Sequence, residues 1–316
     1  MNYIGIDIGG TSIKGGIVTP EGKIIERFVL PIHHELTGEQ IISQLGDMIN
    51  ETLAKMGTKP SDYLGIGVGC PGSINSETGC CDFSNNLNWH YLPIVKILKE
   101  KTGMDARIAN DANAAMAGEA KFGVGKSYHN LVLVTLGTGV GGGLYLNDHL
   151  YVGNEGKGAE LGHIIVQMDG LPCTCGLRGC LETYASVTAL IRQTKEAMEA
   201  HPESKMWDYV EHDINKVDGK TAFETSKQGD ETALAVVDRY ENYLTVGLVN
   251  FCNLFRPDAI VLGGGLSNQR DYLIQGLEKK LQATHYGFTG TPAVKLLVSN
   301  LGNDAGILGA AALYLD

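Results

Sequence analysis

Four side chains in one short stretch, His163, Cys173, Cys175 and Cys180, are spaced like ligands of a single ion. Thiolates with an imidazole make the donor set of structural zinc, which closes a tetrahedron on four protein ligands and leaves no position for water. A Cys-x-Cys spacing alone would equally suit reduced thiols or a redox pair. A third Cys after Gly176 and Gly179, with a His upstream, turns the reading to a metal site. Glu160 and Glu182 flank the segment without fitting its ligand set. A rigid metal knot bracketed by carboxylates is a scaffold for presenting polar groups to a substrate.

Two glycine turns offer a second chemistry. Gly9-Gly10-Thr11 and Gly137-Thr138-Gly139 each place small residues and a hydroxyl between strand patterns. Backbone N–H groups exposed in such a turn form an anion nest, which a side chain at Cβ would obstruct. Either turn alone reads as an ordinary hairpin. Here I-G-I-D-I-G-G-T-S-I-K-G-G-I-V and V-L-V-T-L-G-T-G-V-G-G-G-L-Y-L share rhythm and glycine placement, so the turns occupy matching places in an internal duplication and read as phosphate grips. Asp7, on the strand entering the first turn, is placed to hold Mg²⁺ directly or through water. Lys14 suits either phosphate charge or a solvated strand face; Gly263-Gly264-Gly265 suits either backbone laid against an adenosine or a plain strand end. Two tempting alternatives fail. Gly137–Gly142 matches Gly-x-Gly-x-x-Gly, but a strand pattern follows where that motif needs a helix. Gly125-Lys126-Ser127 has Ala120 where a Walker loop needs glycine, and a helix pattern ahead of it where a strand belongs.

In order along the chain, these segments resemble the ROK family of sugar kinases and sugar-responsive repressors. The likeness covers D-I-G-G-T-S-I-K, N-N-L-N-W, N-D-A-N-A-A, L-G-T-G-V-G-G-G, E-L-G-H, C-T-C-G-L-R-G-C-L-E, L-G-G-G-L-S and N-D-A-G-I-L-G-A-A. F-S-N-N-L-N-W and G-C-L-E-T-Y-A-S are most similar to the family's bacterial glucokinase branch. The resemblance implies a duplicated α/β fold of the actin/hexokinase (ribonuclease H-like) type, with a cleft between two lobes. The expected division is 1–112 plus 302–316 for a small N-terminal lobe and 113–301 for a large C-terminal lobe carrying the zinc segment. The implied activity is that of an ATP-dependent hexokinase of glucokinase type, using ATP, Mg²⁺ and structural zinc, acting as a homodimer or dimer of dimers. A kinase for N-acetylmannosamine, N-acetylglucosamine, fructose or allose is the near alternative, and a sugar-responsive repressor the remote one. Only six residues precede Asp7, so no winged helix-turn-helix is expected ahead of it.

By the same resemblance Asp111, in N-D-A-N, matches the family's catalytic base, where the plain reading is an exposed helix N-cap. Gly72, Asn86, Asn110, Asp111, Glu160, His163 and Glu182 match its sugar-binding set. His163 would bind zinc through one ring nitrogen and a hydroxyl through the other. Trp89 suits a sugar platform or core packing. The sequence departs from the family pattern at Asn85, where Pro is common, and at Asn88, where Gly or Pro-Gly is common.

The elements that must position these groups follow from periodicity. Strands are expected at Tyr3–Ile8, Ser12–Val18, Ile24–Leu30, Leu64–Val68, Ala106–Ala109, Leu131–Leu136, Gly142–Leu146 and Ala259–Leu262. A helix capped by the Thr37/Gln40 box carries Ile41, Ile42, Leu45, Met48, Ile49 and Leu53 on one face. Further helices are expected at Leu92–Lys101, through much of Val187–Phe255, and at Gly302–Tyr314, the last crossing back to the first lobe. A chain of 316 residues, 43% hydrophobic, can bury one large core or two ordinary ones, and its net charge of −11 excludes a broad nucleic-acid surface. No apolar run spans a bilayer, Leu131–Leu146 being broken by glycines and threonines. A strand pattern beginning at Tyr3 leaves no room for a signal peptide, and seven cysteines with three in a metal-type cluster suit a reducing cytoplasm. Cys70, Cys80, Cys81 and Cys252 then read as free thiols. Loss of zinc is expected to disturb the sugar side and spare the phosphate turns.

Overall fold

The computed structural model describes residues 1–283 and 293–315. Its first elements are β1 (Asn2–Ile8), β2 (Ser12–Val18), β3 (Ile24–Pro31), α1 (Gly38–Met56), β4 (Tyr63–Cys70), β5 (Ser73–Asn75), β6 (Cys80–Ser84), β7 (Trp89–Leu92), α2 (Ile94–Thr102), β8 (Ala106–Asn110) and α3 (Asp111–Lys121). There follow β9 (Leu131–Leu136), β10 (Val140–Leu146), β11 (His149–Tyr151), α4 (Glu182–Ala185), α5 (Val187–Ala200), α6 (Met206–Tyr209), α7 (Thr221–Ser226) and α8 (Glu231–Phe255). β12 (Ala259–Gly263), α9 (Arg270–Ala283), β13 (Lys295–Val298) and α10 (Ala305–Ala312) complete the order.

The duplication read from the glycine rhythm is explicit in the sheets. One five-stranded sheet runs β3-β2-β1-β4-β8 and the other β11-β10-β9-β12-β13, so each strand of the first has a counterpart at the same place in the second. In the first, β1–β2 and β2–β3 pair antiparallel while β1–β4 and β4–β8 pair parallel. In the second, β10–β11 is antiparallel and β12–β13 parallel. The two glycine turns, β1 to β2 and β9 to β10, are therefore topological equivalents.

By contacts the chain forms two compact units: residues 1–131, 143–159 and 300–316, and residues 132–142 and 160–299. The first unit thus runs past residue 112, holding all of α3 and also β11. The reason is small-residue packing: a Cβ at Gly309 of α10 would strike the Ala114 carbonyl, and one at Gly118 of α3 would meet Gly309 at 2.9 Å. α10 also lies directly on the sheet, because Gly5 and Gly67 present bare backbone where a Cβ would land on the Ile307 and Ala310 carbonyls. On the other face α1 buries Ile41, Ile42, Leu45, Ile49 and Leu53. Thr37 caps it as expected, with Gln40 bonding back to the Thr37 N–H at 2.9 Å, and Gly57 ends it in the left-handed region.

Three differences from the sequence reading have local causes. Leu92 belongs to β7 and α2 starts only at Ile94, because the residue before Pro93 is held out of the helical region. The expected terminal helix is a 3₁₀ turn at Gly302–Asp304 followed by α10. A small sheet β5-β6-β7, formed by short strands of mixed polarity, was not foreseen; it carries the loop that holds Asn86. No helix among the described residues is long and apolar enough to cross a membrane.

Candidate active site and metal cluster

In the first unit the parallel strand β8 ends at Asn110, and α3 begins at once with Asp111. The helix N-cap is Asn110, not Asp111: the Asn110 Oδ1 accepts the Ala112 N–H at 2.9 Å. That replaces the plain reading of Asp111 as a cap. Asp111 is the first helical residue, exposed, its Oδ1 also accepting the Ala112 N–H at 2.9 Å. The Asn110 amide donates to the Gly72 carbonyl at 3.1 Å, so two of the expected sugar residues are tied to each other. Gly72 has φ 114°, and a Cβ there would fall on the Phe83 carbonyl of β6, which is why this position needs glycine. Asn86 is exposed in the β6–β7 loop, and the loop closes through Asn88 N–H to the Asn85 carbonyl at 3.3 Å. Asn88 has φ 52°, a conformation asparagine tolerates, so the departure from glycine leaves the turn intact. Trp89 is 5% exposed, in the core beside Leu92: it is packing, not a sugar platform.

The first glycine turn closes with Gly9 N–H to the Ser12 carbonyl at 2.9 Å. A Cβ at Gly10 would meet no protein atom within 4 Å, leaving its space open to a ligand. Asp7 faces Lys14 across the β1–β2 ladder. Burial pushes the Asp7 carboxyl above its ordinary value, and Lys14 pulls the other way. A half-buried carboxylate with this penalty fits a hard cation such as Mg²⁺, whose charge would offset the desolvation. The carboxylate also rests on α10 at Gly306, where any Cβ would collide with it. Nothing in the spacing of N-D-A-G-I-L-G-A-A pointed to that contact.

In the second unit His163, Cys173, Cys175 and Cys180 come together with their ligand atoms all within 4.8 Å of one another. Cys175 Sγ lies 3.6 Å from Cys180 Sγ, and Cys173 Sγ lies 3.6 Å from His163 Nδ1. Zinc bond lengths in a tetrahedron put sulfur–sulfur edges at about 3.8 Å and sulfur–nitrogen edges at about 3.6 Å, whereas a disulfide needs about 2.0 Å. The geometry fits an ion and no disulfide, and all seven cysteines are free. Burial, then the crowding Cys175 and Cys173 sulfurs, push the Cys180 thiol up to about 12, so a thiolate at this place calls for a cation beside it. With Nδ1 turned to the cluster, Nε2 of His163 is the nitrogen left to meet a hydroxyl.

The same unit holds the second glycine turn, closed by Gly137 N–H to the Gly139 carbonyl at 3.0 Å. Thr138 is exposed on it. Gly264, with φ 81°, lies so close to the Leu136 carbonyl that no Cβ fits, which brings β12's glycine end to the residue preceding the turn; Gly265 opens on free space. Glu182, expected beside the knot and among the sugar-binding residues, leads α4 and also binds the turn itself, Oε2 accepting the Val140 N–H at 2.9 Å. Glu160 precedes the 3₁₀ turn that carries His163, whose N–H bonds the Glu160 carbonyl at 3.0 Å.

Paired glycine turns on a duplicated sheet, a carboxylate at a strand's end and a Cys₃His cluster define a class. The chain belongs to the ROK family, whose model matches residues 3–316, and it has the two-lobe α/β fold of the ROK sugar kinases. It is 36% identical to the glucokinase of Halalkalibacterium halodurans over 98% of this chain and 94% of that one. It is likewise 36% identical to the glucokinase of Thermotoga maritima, over 100% of this chain and 98% of that one. A solved ROK glucokinase from Streptomyces griseus, in complex with glucose and AMPPNP, superposes with a TM-score of 0.79 at 33% identity, covering 99% of each chain.

Proposed function

We propose that this chain is an ATP-dependent glucokinase, transferring the γ-phosphoryl group of ATP to the 6-hydroxyl of glucose. The observation that carries this is the end-to-end likeness to glucokinases, one of them solved with glucose and AMPPNP. Asp111 is the base. It accepts the proton of the 6-hydroxyl as that oxygen attacks the γ-phosphorus and the bond to ADP breaks. Phosphoryl transfer passes through a loose transition state, so the carboxylate has mainly to orient the oxygen in line and take its proton late. Asn86, Asn110 and Gly72 in the first unit, and Glu160, His163 and Glu182 in the second, bind the sugar hydroxyls; amides and carboxylates suit a neutral polyol because each pairs with adjacent hydroxyls in fixed geometry. Gly9, Gly10 and Thr11 and, in the other sheet, Gly137, Thr138 and Gly139 hold phosphate oxygens through backbone N–H groups and hydroxyls. Lys14 adds charge, and Gly264 and Gly265 lie against the adenosine. Asp7 would hold Mg²⁺, which would supply positive charge against the phosphates. His163, Cys173, Cys175 and Cys180 would hold a structural zinc, which would fix the direction of the His163 ring.

An assay coupling ADP release to a panel of glucose, N-acetylmannosamine, N-acetylglucosamine, fructose and allose tests the reading. Glucose should give the highest kcat/KM. ADP release independent of every hexose would refute the sugar-kinase reading, and a preference for another member of the panel would refute glucose.

A further inference from the structure

The main chain of the Gly137–Gly139 turn and of Val140 beyond it is held from outside, by the chain that carries and follows the metal cluster. Val187 N–H donates to the Gly137 carbonyl at 2.8 Å, and Thr188 Oγ1 donates to the Thr138 carbonyl at 2.7 Å. Gly162, next to His163, packs against the Val140 carbonyl so tightly that a Cβ would overlap it. Glu182 closes the set: Oε2 accepts the Val140 N–H at 2.9 Å, while Oε1 lies 3.9 Å from Cys173 Sγ. Gly139 has no side chain because one would occupy the place of Oε2. A carboxylate accepting a backbone N–H makes a charge-assisted bond, about twice as strong as a neutral one. One side chain therefore touches the metal cluster with one oxygen and sets the phosphate turn with the other.

We propose that Glu182, besides meeting the sugar, is a positioning residue for the nucleotide: its carboxylate sets the conformation of the Gly137–Val140 turn and couples that turn to the metal cluster. This rests on the assignment of the turn to phosphate made above. The coupling is a free energy shared between two sites, so a change at Glu182 registers in nucleotide affinity even with no sugar present.

The test measures AMPPNP·Mg²⁺ binding by calorimetry without sugar, alongside glucose KM, kcat and zinc content, for Glu182→Ala and Glu182→Gln. Glu182→Ala should weaken AMPPNP about tenfold. Glu182→Gln keeps a carbonyl oxygen for the Val140 N–H and should return nucleotide affinity to within about threefold of wild type. The same variant should leave glucose KM high, since the amide lacks the carboxylate's charge and second acceptor. That split, nucleotide restored and sugar not, is one a general loss of packing would not produce. An unchanged sugar-free AMPPNP affinity in Glu182→Ala would overturn the proposal, as Glu182 would then serve the sugar alone. Should the alanine variant not fold, Glu182→Asp takes its place, its shorter side chain withdrawing the carboxylate from the Val140 N–H: AMPPNP weakened several-fold without sugar supports the proposal, and unchanged AMPPNP affinity overturns it. Wild-type protein that binds AMPPNP but phosphorylates no hexose would instead sink the glucokinase reading, with the nucleotide comparison still deciding this one.

Discussion

Asp111 stands where a strand's end and a helix's beginning meet, and the division of labour with Asn110 explains why both are needed. Asn110 caps α3 and holds the Gly72 carbonyl, which leaves Asp111 as an exposed carboxylate rather than a structural cap. Asp111→Ala should therefore fold normally, bind AMPPNP with near wild-type affinity, and lose at least about a hundredfold in kcat. A variant keeping a third of the wild-type rate would remove Asp111 from the role of base. A second residue makes a prediction about stability alone. Glu241 on α8 is 6% exposed, and Gly276 on α9 leaves the space its carboxylate fills. Burial first, with Asp238 adding to it and Lys280 opposing, pushes its carboxyl up to about 7. A raised folded value means this group's contribution is fully present below its unfolded value of 4.5 and lost as pH rises through about 7. Glu241→Gln should raise Tm at pH 8 by about 2–4 °C over wild type, with the difference gone by pH 4. Parallel Tm–pH curves would show that burial at Glu241 carries no such penalty.

Among the elements, α10 is the one whose role was least visible in advance. Gly5 of β1, Gly67 of β4 and its own Gly309 against α3 allow contact at backbone distance, and Gly306 is where it meets Asp7. Alanine in place of a helical glycine ordinarily stabilises by about 0.5–1 kcal/mol. Here the new methyl must push the Asp7 carboxylate aside. Gly306→Ala is expected to raise the Mg²⁺ concentration giving half-maximal rate several-fold while Tm moves by no more than a few degrees. If Mg²⁺ dependence stays as in the wild type, Asp7 does not hold the ion from this position. The helices and strands themselves were largely legible: the β1, β2 and β9 patterns, the Thr37 capping box and the long run of helix ending at Phe255 all rest on local periodicity or capping, and all are present. The β5-β6-β7 sheet was not, because strands of three to five residues with mixed burial have too little period to register.

For the whole molecule, the Cys₃His cluster and the Gly137–Gly139 turn of the second unit are joined through Glu182, which contacts both. The sequence alone suggests that zinc loss would spare nucleotide binding; the proposed coupling through Glu182, which accepts the Val140 N–H, makes the opposite expectation. Elemental analysis should find near one zinc per chain. Cys175→Ser should lower Tm, raise the sugar KM sharply and also weaken AMPPNP, since ligand binding and folding share the same free energy. Fully active protein containing no zinc would contradict this picture. What the sequence determined by itself was everything carried by spacing within one segment: the ligand set, the two glycine turns, the repeat, and Asp111 at a strand's end. Only the tertiary structure decided that Trp89 is core, that Asn110 serves as cap and tether for Gly72, that α10 supports Asp7, and that Glu182 reaches Val140. Each of those contacts joins separate elements, and the partners are chosen by how sheets and helices pack; periodicity and capping describe a residue's neighbours along the chain and carry no record of its neighbours in space.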